Sequence, residues 1–414
     1  MVSRKAESNW KVLLLVTSVA IVYGICRDGI SVLLPFMQNE FSLSRAQIGF
    51  YSTFLYAGST SVAVFSGRIV DVLGTRRSIV LGLALMGAFV TLYSIASLFI
   101  MFLLTALLAG FGMSMIAPST AKAVTETFSH KRGSCMGVVQ AGIGLGTFLA
   151  ALIFPVLVLL VGWRGTVVSA GLLALLVAAV IYFFLGEASQ RKKEGKKGGP
   201  YRAPDSFGTA LVNLRANRTF VLLCLLGSMF GVVFSFTNNH FPVMAYSDYG
   251  LDGGEAGFVF GVLHVGGIFG RLGWGYVSDR VFGGSRRASV FVIGLGISLI
   301  GIIFGNLSNI NNMFLFYFIT FVLGVTALGF FGLYATAIGE TVGHNNVGTG
   351  MGVSLVFVRG GSIISPPVFG YIADRTGSYS NSWFLLSFAV LLVSTIVFIF
   401  YRESPIKRAN NWGK

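Results

Sequence analysis

Residues 261–287 read GVLHVGGIFGRLGWGYVSDRVFGGSRR: an apolar, glycine-rich helix with one arginine inside it and a cluster of charge at its end. An arginine inside a membrane helix is costly, so it faces protein or a polar cavity and does a job there. The closing charge cluster has a twin 208 positions earlier, GRIVDVLGTRR at 67–77. A lone interior cation and a duplicated charged loop organise the rest of the chain.

Of the 414 residues 54% are hydrophobic and 11% are charged, where soluble domains carry about 25% charge. Apolar runs of about 20 residues recur from end to end, each long enough to cross a bilayer as a helix. They are continuous rather than alternating, which excludes an outer-membrane barrel. The fold class expected is therefore an all-α membrane protein. The net charge of +15 does not point to nucleic acid, because of the 30 Lys and Arg residues 24 fall in alternate inter-span segments. Arg45, Arg164 and Arg375 lie in the opposite loops, and Arg27, Arg271 and Arg359 lie inside apolar runs. That asymmetry follows the positive-inside rule and puts both termini in the cytoplasm. Cys26, Cys135 and Cys224 are far apart, with neither metal-ligand nor disulfide-framework spacing. The basic-then-apolar start lacks a cleavage site and reads as a retained first span.

Twelve transmembrane helices are expected. Span 1 covers about 11–36 and span 2 about 48–70; span 3 ends near 98 and span 4 near 126; span 5 covers about 134–161 and span 6 ends near 185. Spans 7 to 12 lie near 218–244, 255–277, 288–306, 312–336, 347–372 and 382–402. Between them, 187–217 is the one long polar stretch, rich in Lys, Gly and Pro, and reads as a linker. The second part repeats the first. LPFM at 34–37 matches FPVM at 241–244, GRIVD at 67–71 matches GYVSD at 275–279, ETFSH at 126–130 matches ETVGH at 340–344, and MGV at 136–138 recurs at 351–353. Four matches in order, at slowly growing offsets, mean duplication. The organisation expected is two pseudo-symmetric six-helix halves, 1–186 and 218–414, with a site between them near mid-membrane.

GRIVDVLGTRR resembles the signature loop between helices 2 and 3 of the major facilitator superfamily, with Gly67 for close helix approach, Asp71, Gly74, and the pair Arg76–Arg77. Its twin keeps Gly275, Asp279, Arg280, Gly283 and Arg286–Arg287. The resemblance covers the whole chain and implies rocker-switch alternating access. It also implies a gating role for both loops. A carboxylate at a helix end can hold free amides or a basic side chain in one conformation and release them in another; fixing loop geometry is the alternative.

Among the interior charges, Arg271 lies seven residues after His264, two turns along the same face, and Arg27 lies four after Tyr23. Facing these three arginines, the spans hold one clear carboxylate, Asp28; neighbours on a regular helix diverge by about 100°, so Arg27 and Asp28 need not pair. Interior positive charge exceeds negative by two, and an anionic substrate would balance it. The alternative is that the arginines bond backbone carbonyls or hold helices together. RLGWGYVSD resembles the branch containing oxalate–formate antiporters and monocarboxylate porters, in which a helix-8 arginine at this spacing binds a substrate carboxylate. By that resemblance Arg271 is the main anchor. Arg359, in the helix where the oxalate antiporter has a lysine, is the second cation, and a guanidinium keeps the chemistry.

Asn238, Asn239 and His240 precede Pro242 and either contact substrate hydroxyls, form an outer gate, or simply end span 7 at the interface. His264 and Asp28 are proton-coupling candidates, with packing and a salt bridge as their alternatives. Tyr23, Tyr56 and Tyr334 lie on helices that line the cavity in the fold the resemblance implies. Gly142, Gly144, Gly146, Gly360 and Gly361 suit close helix packing. No nucleotide loop, metal site, cofactor motif or catalytic triad is present in the sequence, so an enzyme is not expected. The expected function is secondary transport of a small organic anion, a mono- or dicarboxylate, by proton symport or anion exchange in a monomer. A phosphorylated or sugar-acid anion, or a sensor on the same fold, is the alternative.

Overall fold

The computed structural model describes residues 2–128, 132–185, 212, 214–307, 310, 312–342 and 347–401, and every regular element among them is helical. In chain order the helices are α1 Val2–Arg27, α2 Leu34–Phe41, α3 Arg45–Leu73, α4 Thr75–Leu92, α5 Phe99–Thr127, α6 Arg132–Phe184, α7 Arg218–Ser247, α8 Gly253–Arg280, α9 Arg286–Asn306, α10 Met313–Ala327, α11 Phe331–Val342, α12 Val347–Thr376 and α13 Ser380–Phe400. Short 3-10 turns cover Gly29–Leu33 and Tyr93–Ile95. Ten helical stretches among the described residues are long and apolar enough to cross a membrane. The chain is an integral membrane protein.

Local chemistry sets the boundaries. Ser44 with Gln47 and Asp252 with Glu255 form reciprocal capping boxes that start α3 and α8. Asn217, Ser285 and Asn312 cap α7, α9 and α10 with their side chains. The stretch Ser134–Phe184 has 51 residues, or about 75 Å of helix against a hydrocarbon core of about 30 Å. It breaks at Gly162 (φ 69°), the turn expected between spans 5 and 6.

Three elements differ from the sequence-based expectation. Span 1 is not one helix to residue 36: α1 stops at Arg27, and α2 restarts with Pro35 in its first turn, where a missing N–H costs nothing. Span 10 is broken between α10 and α11, around Leu328, Gly329 and Phe330. Span 7 continues to Ser247, so Asn238, Asn239 and His240 are buried inside a helix instead of ending one at an interface. The linker expected at 187–217 lies outside the described residues except for 212 and 214–217.

Two groups of helices emerge from the packing. In one, α1 packs on α6, and α3 and α4 pack on α5; in the other, α7 packs on α12, α8 on α10 and α9 on α13. Two seams join the groups, α3 against α12 and α6 against α8. Close approach within each group uses small residues, as in membrane packing generally. Gly146 lies against the backbone of Ile21, Gly361 against that of Ser228, and Gly142 against Thr17 and Ala20. Gly144 lies at a seam, against Ile268. Gly360 does not share this role, and Gly275 does not give close helix approach, because both face open space.

Candidate functional site

Arg27 and Asp28 are paired. Asp28 directly follows α1 with helical dihedrals, its N–H still donating to Gly24 O at 3.0 Å, and the long Arg27 side chain reaches across to it. Arg27 Nε donates to Asp28 Oδ1 at 2.8 Å and its Nη2 donates to Oδ2, a two-point ion pair whose carboxylate is only 3% exposed. The guanidinium also lies over the ring of Tyr23, at 4.9 Å, and over that of Phe234 in α7, at 5.5 Å.

Arg271 and Arg359 have no such partner. Among the described residues each bonds only backbone carbonyls, and each is half-buried. Arg271 donates from Nε to Leu328 O (3.3 Å) and from Nη1 to Gln140 O (3.1 Å); Arg359 donates from Nη1 to Ser59 O (3.2 Å). Leu328 sits where the ladder between α10 and α11 is interrupted. α8 therefore fills that gap with Arg271 and, one turn on, with Trp274, whose Nε1 donates to Val325 O at 2.8 Å. The carbonyl bonds of the alternative reading are thus present. A guanidinium carries five N–H donors, so these contacts leave most of them unused. Each arginine also reaches across one of the two seams, Arg271 from α8 to α6 and Arg359 from α12 to α3.

Around these cations, His264 Nε2 pairs with Asn238 Oδ1 at 3.1 Å. His264 lies within electrostatic reach of Asp28, Arg271 and Arg27, and Tyr56 lies within reach of Arg27, Tyr23 and Arg359. The structure thus gathers Tyr23, Arg27, Asp28, Tyr56, Asn238, His264, Arg271 and Arg359 into one region between the helix groups. Tyr334 is not part of it. Its ring packs on Phe330, and its buried hydroxyl lies against Gly227. Asn239 lies elsewhere too, accepting from Ser52 Oγ at 2.9 Å and donating to Ile48 O at 3.4 Å.

Asn239 and its neighbour belong to a clasp at the start of α3. The Asp374 carboxylate accepts from the N–H groups of Arg45 and Ala46 at 2.8 and 2.9 Å, capping α3 from α12. The Arg45 guanidinium donates to Asp248 at 2.7 Å and to Ala373 O at 3.0 Å. Asp248 accepts from Tyr379 N at 2.7 Å. The Tyr379 hydroxyl bonds His240 Nδ1 at 2.9 Å, and His240 Nε2 donates to Pro366 O at 2.7 Å. The two helix groups are therefore tied together at this end.

At the opposite end the acids of the signature loops are held within their own groups. Asp71 bonds Lys122 at 2.6 Å. Asp279 bonds Arg286 at 2.8 Å, and Glu340 bonds the same guanidinium at 2.8 Å. Arg76 lies over the Tyr182 ring at 4.7 Å and Arg280 over that of Tyr276 at 6.0 Å; Arg77 is in α4, and Gly67 is within α3.

Sequence reasoning missed Phe234, Asp248, Asp374 and Tyr379. Phe234 had a signal: it stands 207 positions after Arg27, the offset between LPFM and FPVM. The clasp acids had none, since their partners are more than 130 residues away.

The family model described as Major Facilitator Superfamily matches residues 16–286 and 241–414. The chain is 23% identical to a hexuronate transporter of Bacillus subtilis (strain 168), with 96% of each chain covered. It is 24% identical to monocarboxylate transporter 11 of Homo sapiens, over 91% of this chain and 79% of that one. Its fold is similar to a crystal structure of a bacterial homolog to the human lysosomal transporter Spinster, in an inward-facing and unoccupied conformation. The TM-score is 0.76 at 17% identity, over 95% of this chain and 96% of that one.

Proposed function

This chain belongs to the Major Facilitator Superfamily, and on that premise we propose that it carries a small organic acid across the membrane. The halves 1–186 and 218–414, six spans each, rock about a site between them. The observation that carries the proposal is the charge balance. Arg27 is neutralised by Asp28, while Arg271 and Arg359 have only carbonyl partners and unused donors. An uncompensated charge inside a span is functional by default. One carboxylate on Arg271 and a second acid group or polar function on Arg359 would neutralise the pair across both seams, with the hydroxyls of Tyr23 and Tyr56 close by.

The names of the relatives support an organic acid as cargo and a transporter rather than an enzyme. The clasp at Arg45 supports a state closed at that end, which the positive-inside pattern puts outside the cytoplasm. In that state Asp71 and Asp279 are latches released from the opposite half. Substrate enters or leaves by proton symport, with Asp28 as the carrier, or by exchange of one anion for another.

The test is uptake and counterflow in proteoliposomes, using labelled carboxylates and their uncharged amides. Carboxylates are expected to be taken up and amides not. Removing one charged hydrogen-bonding partner loses about 1.5–3 kcal/mol, so Arg271→Ala is expected to cut uptake roughly ten- to hundredfold. Undiminished uptake by Arg271→Ala contradicts the anchor role, and uptake of the amides contradicts the anion. An imposed proton gradient stimulates uptake under symport and leaves it unchanged under exchange.

A further inference from the structure

The pair His264–Asn238 fixes which ring nitrogen of the imidazole carries the hydrogen. Asn238 Nδ2 donates to Phe234 O, one turn back in α7, at 2.8 Å. A carbonyl only accepts, so the NH2 end of the amide is committed there and Oδ1 is the atom facing His264 Nε2. Oδ1 in turn only accepts, so Nε2 carries the hydrogen. The tautomer is thus assigned from the hydrogen-bond network. In a neutral imidazole the other nitrogen is then a bare lone pair. Among the described residues Nδ1 has no hydrogen-bond partner, although the ring is buried beside Phe260 and within reach of Arg27, Asp28 and Arg271.

The ring is only 1% exposed, yet Nδ1 is not one of the fully buried polar atoms without a partner, so it stays open to a donor; an ionised carboxylate cannot supply one. A substrate hydroxyl can. We propose that His264 Nδ1 accepts a hydrogen bond from a hydroxyl on the cargo, so that the site takes hydroxy acids in preference to the same acids without the hydroxyl. The arginines hold the acid group, and Asn238 is a positioning residue that holds His264 in the accepting tautomer. This inference rests on the organic-acid reading above. It concerns which acid is chosen, and so can fail alone.

The experiment is uptake into proteoliposomes of matched pairs with equal charge: L-malate and succinate, L-lactate and propionate, D-gluconate and hexanoate. The parent is expected to take up the hydroxylated member of at least one pair about tenfold faster or more, the discrimination expected for a buried acceptor left unpaired. His264→Phe keeps the ring contact with Phe260 and removes the acceptor, and is expected to bring that ratio close to one. Asn238→Leu is expected to do the same, by releasing the tautomer. His264→Asn, which keeps an acceptor near Nδ1, is expected to retain part of the ratio. Equal uptake of both members of every pair by the parent overturns the proposal, as does a ratio that survives in both His264→Phe and Asn238→Leu. If the parent takes up no acid of any pair, the organic-acid reading itself falls and this inference with it.

Discussion

Arg27 and Asp28 illustrate how one residue alters what its neighbour can offer. Half-buried and bonded at two points to a buried carboxylate, Arg27 is a neutralised cation that still presents its face to Tyr23 and Phe234. Breaking a buried pair from one side leaves an uncompensated charge, which costs about 3 kcal/mol or more. Asp28→Asn is therefore expected to destabilise the detergent-purified protein by about that amount, and Arg27→Met together with Asp28→Asn by less. Thermal unfolding of the two single variants and the double variant measures this coupling. A double variant that loses as much as the single losses added together contradicts the pairing. Arg271 and Arg359 differ in kind, because no acid side chain among the described residues answers them.

At the scale of elements, the breaks matter more than the helices. The interruption at Leu328 leaves carbonyls at the end of α10 to which Arg271 and Trp274 of α8 donate. The N-terminus of α3 is capped by Asp374 of α12, so a helix end in one group is completed by the other. Asp374→Ala is expected to loosen that end. In a background without the three native cysteines, a cysteine at Ser52, which is buried beside Asn239, is expected to react slowly with a membrane-impermeant thiol reagent. Adding Asp374→Ala is expected to speed that reaction several-fold. Equal rates with and without Asp374 show that the clasp does not hold this end shut.

Across the whole molecule, much of the architecture was legible because the bilayer constrains it. Long apolar runs read as spans, and the paired charged loops at 67–77 and 275–287 identify the superfamily. The interior arginines stood out for the same reason, since charge in an apolar run has few explanations. What stayed hidden depends on contacts distant in sequence: the clasp of Arg45 with Asp248 and Asp374, the burial of Asn238 to His240, and the exclusion of Tyr334. A polar run before a proline reads as a helix end, and only the helices packed around α7 keep it helical and dry. The interior of 261–287 and its charged tail thus have separate roles. His264 and Arg271 face the region between the helix groups, while Asp279 is tied to Arg286 within its own group.

The central claim is that Arg271 and Arg359 hold the acid groups of the cargo. Its most direct test is equilibrium binding of the best-transported acid to the purified parent protein and to Arg271→Ala, Arg359→Ala and Tyr334→Phe. Affinity is expected to fall about tenfold or more in each arginine variant, and to stay at the parental value in Tyr334→Phe. Parental affinity in both arginine variants contradicts the account.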